Sequence, residues 1–297
     1  MMNRKDFLRS LGVLAVGATA GLSCGRGRTL LQEKRKVVSV QLWSVRPLIV
    51  ENVPKTLKQL ADCGYLEVES FGFNNGQYFN TPIKEFSKIV EGYGMKLTST
   101  HIPSRYNPEN IQEGLDWWKE AADLHKSVGC DTLVIPSLPT LRGVPREVEW
   151  LSPVCEYINK LNDIARERGM RAGFHNHDND EVIMENGHAI LDYLIANTDP
   201  SFFIQLDNHN MMVAGRDPIA FLHQYKSRTQ QLHVKDDDII GASGRIDFKE
   251  LFTVAAQYGI YEPIVEVENF PEGVSIMEAM CRSAEYLLNA PYVRFYR

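Results

Sequence analysis

Four short segments carry imidazole and carboxylate groups at the ends of β-like runs: Phe174-His175-Asn176-His177, Ile204-Gln205-Leu206-Asp207, Leu232-His233-Val234-Lys235 and Ile264-Val265-Glu266-Val267-Glu268. Side chains alternate between faces along a strand, so His175 shares a face with His177, His233 with Lys235, and Glu266 with Glu268. If these strands are neighbours in one closed sheet, their ends meet at a single pocket. Imidazole nitrogens and carboxylate oxygens gathered at one point are the usual ligand set of a divalent metal ion such as Mn, Co or Zn.

A repeated βα unit must position these groups. Apolar or β-branched runs begin near Val37, Tyr65, Met95, Asp131, Met170, Phe202, Gln230 and Pro263, on average about 32 residues apart. Amphipathic stretches fill the intervals, over 53–63, 82–93, 108–128, 146–168, 187–197, 218–225, 248–258 and 274–288. Several begin at Pro or after Asp or Asn, and several stop at Gly64, Gly94, Gly129, Gly169 and Gly259 just before the next strand. Eight such units predict an α/β fold, a (β/α)8 TIM barrel over residues 37–297, with its active site at the C-terminal ends of the strands. After the first strand stands Gln41-Leu42-Trp43-Ser44-Val45-Arg46 rather than a Gly-rich phosphate fingerprint, which disfavours an open doubly wound sheet.

Residues 1–36 read differently. Arg4-Lys5-Asp6-Phe7-Leu8-Arg9, the apolar stretch Leu11 to Leu22 and then Ser23-Cys24-Gly25 follow the order of an export signal. Asn3-Arg4-Lys5-Asp6-Phe7-Leu8 resembles the twin-arginine type with Lys as the second basic residue. Leu22-Ser23-Cys24 resembles a lipoprotein box, with Gly21 where Leu is usual. The apolar stretch is too short to remain as a membrane span. The expectation is an exported protein, periplasmic or lipid-anchored through Cys24.

Charge separates the two parts. Residues 1–36 hold eight of the 32 Lys+Arg and two of the 38 Asp+Glu, so the barrel keeps 24 basic against 36 acidic residues, a net −12. A nucleic-acid partner is disfavoured, because phosphate binding needs a basic footprint. Cys63, Cys130, Cys155 and Cys281 have no CxxC spacing and are expected to be buried free thiols without a disulfide.

Taken together and in order, the strand motifs are similar to those of the xylose isomerase-like TIM barrel superfamily, in particular its sugar phosphate isomerase/epimerase group. The matching pieces are Ser39-Val40-Gln41-Leu42-Trp43-Ser44, Gly64-Tyr65-Leu66-Glu67-Val68-Glu69, Ser99-Thr100-His101, Phe174-His175-Asn176-His177-Asp178, Gln205-Leu206-Asp207, His233-Val234-Lys235-Asp236 and Val265-Glu266-Val267-Glu268. The resemblance implies one divalent ion (Mn, Co, Zn or Mg) held by a Glu, an Asp, a His and a Glu from the fifth to eighth strands. Three of these positions become Asp207, His233 and Glu266. The fifth-strand position holds His175, which could ligate in place of the Glu; His177, or Asp180 or Glu181 from the next loop, are the alternatives. A His there removes one negative charge and leaves the ion more electrophilic.

Around this centre His177, Glu69, Lys235 and Glu268 are the candidate catalytic groups, and His101, Trp43 and Gln205 the candidate substrate contacts. The resemblance implies abstraction of the proton alpha to a sugar carbonyl, giving a metal-stabilised enediolate that is reprotonated by an isomerase or epimerase. The same species can expel a β-substituent, so a lyase or dehydratase acting on a keto-sugar or keto-glycoside is the alternative; inosose dehydratases resemble the His-Asn-His type. A DNA-repair endonuclease of the same superfamily needs three metals and a basic groove, and Asn210 stands where a further ligand His would be. A non-catalytic sugar-binding protein gives no reason to gather Asp207, His233 and Glu266. The acidic loops Asp236-Asp237-Asp238 and Glu268-Asn269-Phe270-Pro271-Glu272 point to a neutral rather than a phosphorylated sugar or glycoside.

Overall fold

The computed structural model describes residues 36–139 and 147–294. The export signal and Cys24 lie outside the described residues. Eight parallel strands form a closed barrel: β1 (Ser39–Gln41), β2 (Glu67–Ser70), β3 (Lys96–His101), β4 (Thr132–Ile135), β5 (Arg171–His175), β6 (Phe203–Asp207), β7 (Thr229–Val234) and β8 (Pro263–Val265). Each strand pairs with its neighbours in sequence, and β1 closes against β8 through Ser39 beside Ile264.

The connecting helices are α1 (Val53–Asp62), α2 (Ile83–Gly92), α3 (Ile111–Ser127), α4 (Val148–Glu167), α5 (Ile190–Asn197), α6 (Pro218–Gln224), α7 (Phe248–Gln257) and α8 (Ile276–Asn289). Their starts are set by side-chain caps: Asn52, Asn110, Asp217, Asp247 and Ser275 each accept a backbone N–H of the first turn. At the end of α1, Gly64 has φ +100°, and a β-carbon there would lie 2.9 Å from Leu288 of α8. Helical rows such as Leu57 and Leu60 or Phe86 and Val90 are buried in the core.

Shorter pieces escape the sequence periodicity. A 3-10 turn at Leu42–Val45, a helix at Arg46–Glu51, a small hairpin pairing Gln77–Tyr78 with Thr81–Pro82, a 3-10 turn at Asp178–Glu181 and a helix at Asn208–Val213 all follow C-terminal strand ends. Each is too short to show a hydrophobic repeat.

The cysteine expectation divides. Cys130 and Cys155 are buried free thiols, as expected, but Cys63 and Cys281 are joined in a disulfide. The sequence hides this bond because its partners are 218 residues apart and become neighbours only when α1 and α8 meet at barrel closure. The bond spans nearly the whole barrel, so it removes much freedom from the unfolded chain. Replacing both cysteines by serine should lower stability by about 3–5 kcal/mol, read as a drop in Tm, and dithiothreitol should shift the wild type toward the variant while leaving the variant unmoved. A wild-type Tm insensitive to reductant would show that the bond does not carry this stability.

Candidate active site

The floor of the barrel mouth is built on Glu69. Strand register places Gln41, Glu69 and Ser99 side by side on β1, β2 and β3. Gln41 Nε2 donates to Glu69 Oε1 at 2.8 Å and Ser99 Oγ to Oε2 at 2.5 Å. From across the barrel Gln205 Nε2 donates to Oε2 at 2.7 Å, and His233 Nε2 stands 2.6 Å from Oε1. The regular register breaks between Val68 and Glu69 and again between Ile204 and Gln205, beside the two residues that meet in the middle. Such irregularities re-aim side chains.

His233 is clamped from both sides, because its Nδ1 lies 3.0 Å from Glu266 Oε2. Burial opposes charge on this ring, but Glu69 and Glu266 outweigh it and raise its pKa to about 10. Burial also opposes charge on Glu266, yet His233 and Lys235 bring its carboxyl down to about 2. Desolvation alone would raise Glu69; His101 and His233 hold it well below the ordinary carboxylate range. Asp207 moves the other way, raised by its burial. His175 is pushed well down by burial and by the cationic groups around it, which keeps its imidazole neutral.

One ligand atom each from His175, Asp207, His233 and Glu266 lies within 4.8 Å of all the others. Each donor is oriented by a further partner. His175 Nδ1 faces Gln205 Oε1 at 3.1 Å, with its Nε2 3.9 Å from Asp207 Oδ2. Asp207 Oδ1 accepts the backbone N–H of His209 and Asn210 at 2.9 and 2.8 Å, and its Oδ2 accepts Asn210 Nδ2 at 3.0 Å. Such outer partners are what metal ligands require, and two acids with two imidazoles suit a divalent ion. His101, His175 and His233 also cluster, but His101 Nε2 is engaged by Gln205 at 2.8 Å and Glu69 at 3.0 Å. The other fifth-strand alternatives are committed elsewhere: Asp180 accepts the His177 N–H at 2.8 Å, and Glu181 pairs with Arg216 at 2.8 Å.

Two asparagines that the sequence reading passed over extend the sheet where the strands end. Asn176 Oδ1 accepts Asp207 N at 2.8 Å and its Nδ2 donates to Asp207 O at 3.4 Å. Asn208 does the same for Lys235, accepting its N–H at 3.1 Å and donating to its carbonyl at 2.8 Å. Each amide thus substitutes for a missing backbone neighbour and fixes a functional residue on the next strand. The available signal was an Asn placed directly beside a candidate ligand.

Above the floor opens a cavity of about 380 Å³, lined by Trp43, Phe71, His101, His175, His177, Lys235, Glu266 and Glu268 among others. Lys235 contacts Glu268 and lies 3.8 Å from Asp207 Oδ2. Burial opposes its charge, but Asp207, Glu266 and Glu268 together raise its pKa. Trp43 Nε1 donates to Glu268 Oε1 at 3.1 Å. Burial lowers the pKa of His177.

Two of the candidate site residues lie deeper than the mouth. Glu69 and Gln205 do not line the cavity; both are wholly buried beneath it and hold His101 and His233, or His101 and His175, in position. Alternation identifies the face of a strand but not the depth along it, so residues a layer below the mouth looked like residues at it. Trp118 is buried and Trp117 is covered by the Arg105 guanidinium at 4.1 Å.

Comparison with known proteins agrees with this fold. A crystal structure of a sugar phosphate isomerase/epimerase from Parabacteroides distasonis ATCC 8503 is 29% identical with a TM-score of 0.80, covering 94% of this chain and 100% of that one. D-allulose 3-epimerase from Methylomonas sp., solved with D-allulose, shares the fold at 17% identity and a TM-score of 0.66, over 86% of this chain and 96% of that one. Inosose dehydratase from Geobacillus kaustophilus is 25% identical over 197 residues, so the chain spans 61% of that protein's length and matches with 61% of its own. Residues 57–288 match the family described as xylose isomerase-like TIM barrel, and the chain belongs to it.

Proposed function

We propose that this enzyme binds one divalent metal ion through His175, Asp207, His233 and Glu266, removes the proton alpha to the carbonyl of a neutral sugar, and delivers a proton either to the neighbouring carbon, which isomerises the sugar, or to the opposite face of the same carbon, which epimerises it. The observation that carries this reading is the convergence of those four ligand atoms within 4.8 Å beneath a cavity walled by His177, Lys235 and Glu268. A bound ion would supply Lewis acidity, drawing electron density from the carbonyl and acidifying the neighbouring C–H. The chain's own groups do the rest. His177, kept neutral by burial, has a lone pair to accept the proton. Lys235, kept cationic by its acidic neighbours, donates a hydrogen bond to a substrate oxygen, with Glu268 orienting it. Trp43 and Phe71 cover the sugar ring, and Glu69 positions His233 and His101 from below.

A second reading is elimination, favoured by the similarity to inosose dehydratase. It begins with the same proton transfer. The C–H electron pair then becomes a carbon–carbon double bond while the β C–O bond breaks, and the departing oxygen takes a proton to leave as water or an alcohol. The reading of a neutral substrate rests on the acidic loops after β7 and β8. Export rests on the character of residues 1–36, and the Cys63–Cys281 bond supports it, because disulfides persist in oxidising compartments.

Asp207→Asn should lose metal on purification and no longer gain Tm when Mn²⁺ or Co²⁺ is added, as linkage requires; metal content equal to wild type would refute the ligand set. His175→Ala should also lose metal, whereas His177→Ala should keep it and lose about a hundredfold or more in kcat, measured by NMR as deuterium uptake from D2O into keto-sugars. The reverse pattern would exchange the two roles. Cys24→Ala should move the protein from the membrane fraction to the soluble periplasm; wild type recovered uncleaved and without lipid would end the anchoring proposal.

A further inference from the structure

The cavity over the candidate metal centre continues past His177. A second hollow of about 500 Å³ adjoins it, and Pro103, Ser137 and His177 face both. The first cavity already falls within the size of pockets that hold one small molecule, roughly 300–1,000 Å³. The adjoining hollow therefore has room that a single sugar ring at the metal centre would not use.

Its wall is built and stiff. Tyr106 packs on Tyr157 with ring centroids 5.2 Å apart, and the Tyr157 hydroxyl donates to Ser104 O at 2.9 Å. Helix α3 comes so close behind this wall that a β-carbon at Gly114 would meet Tyr157 Oη at 2.3 Å and Arg105 O at 2.5 Å. Arg105 is held at φ +53°, a left-handed conformation that side chains rarely adopt. Its guanidinium stacks over Trp117 at 4.1 Å and donates to Asn74 Oδ1 at 3.1 Å. A strained residue fixed on two sides, in the wall of a hollow that opens into a reaction cavity, is what a ligand-positioning segment looks like. The hollow offers an aromatic ring in Tyr106 and polar side chains in Ser137 and Asn179. Rings plus hydrogen-bonding groups recognise a polyhydroxylated ring.

We infer that this hollow is a subsite for a second sugar ring joined to the reacting one, so that the substrate is a keto-glycoside rather than a free monosaccharide. The inference rests on the proposed function and narrows its substrate class. His177 stands at the junction of the two spaces, beside the oxygen that would link the two rings. Under the elimination reading the bond to that oxygen breaks, the oxygen takes a proton, and the second sugar leaves as an alcohol from its own subsite.

The test compares two probes on the metal-loaded full chain: the methyl glycoside of a glucose ring oxidised to a ketone at C3, and the same 3-keto ring linked to glucose, so that in both the carbonyl is free and the linking oxygen is beta to it. The keto-disaccharide should have a kcat/KM about tenfold or more above the methyl glycoside, the effect of one or two well-placed contacts. Tyr106→Ala and, independently, the exposed Asn179→Ala should lower that ratio toward one, acting through KM. Tyr106→Leu retains an apolar filler against Tyr157 should the alanine variant fail to fold. Turnover of the methyl glycoside reports on the proposed chemistry alone. If it is turned over and the disaccharide is no better, or if the variants leave the ratio unchanged, the subsite is refuted while the chemistry stands. If neither probe is turned over, the subsite is refuted, and deuterium uptake from D2O into free keto-sugars then decides whether the chemistry stands.

Discussion

His233 lies between Glu69 and Glu266, 2.6 and 3.0 Å from their oxygens, inside a barrel where a single unpaired charge would be very unfavourable. Two carboxylates around one imidazolium make that burial tolerable, and the donors from Gln41, Ser99 and Gln205 satisfy what the histidine does not. This arrangement fixes His233 on β7, turns Glu266 toward it, and leaves His175 and Asp207 to complete the group of four. It would also tie loading of the proposed metal ion to protons. An ion at His233 needs a free lone pair, so binding displaces a proton that two carboxylates otherwise retain.

The fold was legible because its repeat is long and regular, and the strand ends because imidazoles and carboxylates stood at equivalent points of four successive units. The four expected ligands do meet. The vertical arrangement was not legible. Glu69 and Gln205 obey the same alternation as residues at the mouth, and only the irregular registers beside them show that they reach each other below it. Asn176 and Asn208 act on backbone atoms of a neighbouring strand, a role that leaves no periodic trace. Cys63 and Cys281 needed the barrel to be closed before their distance had any meaning.

Isomerisation and elimination share the residues that handle the first proton. They part on what lies beyond the carbon next to the carbonyl, and therefore on the space around His177 rather than on the ligand set. On the proposed reading, specificity would lie with Pro103, Ser137 and His177, which follow β3, β4 and β5 and face both hollows, while the strands would supply chemistry common to both outcomes.

Lys36 precedes β1 and donates to the carbonyls of Leu288 and Ala290 at the end of α8. That contact pins the chain's entry to the face of the barrel away from the strand ends that carry His175, Asp207 and Glu266. The seam where β1 meets β8 is thereby fastened on the side remote from the four converging side chains, so closure and chemistry are held at opposite ends of the barrel.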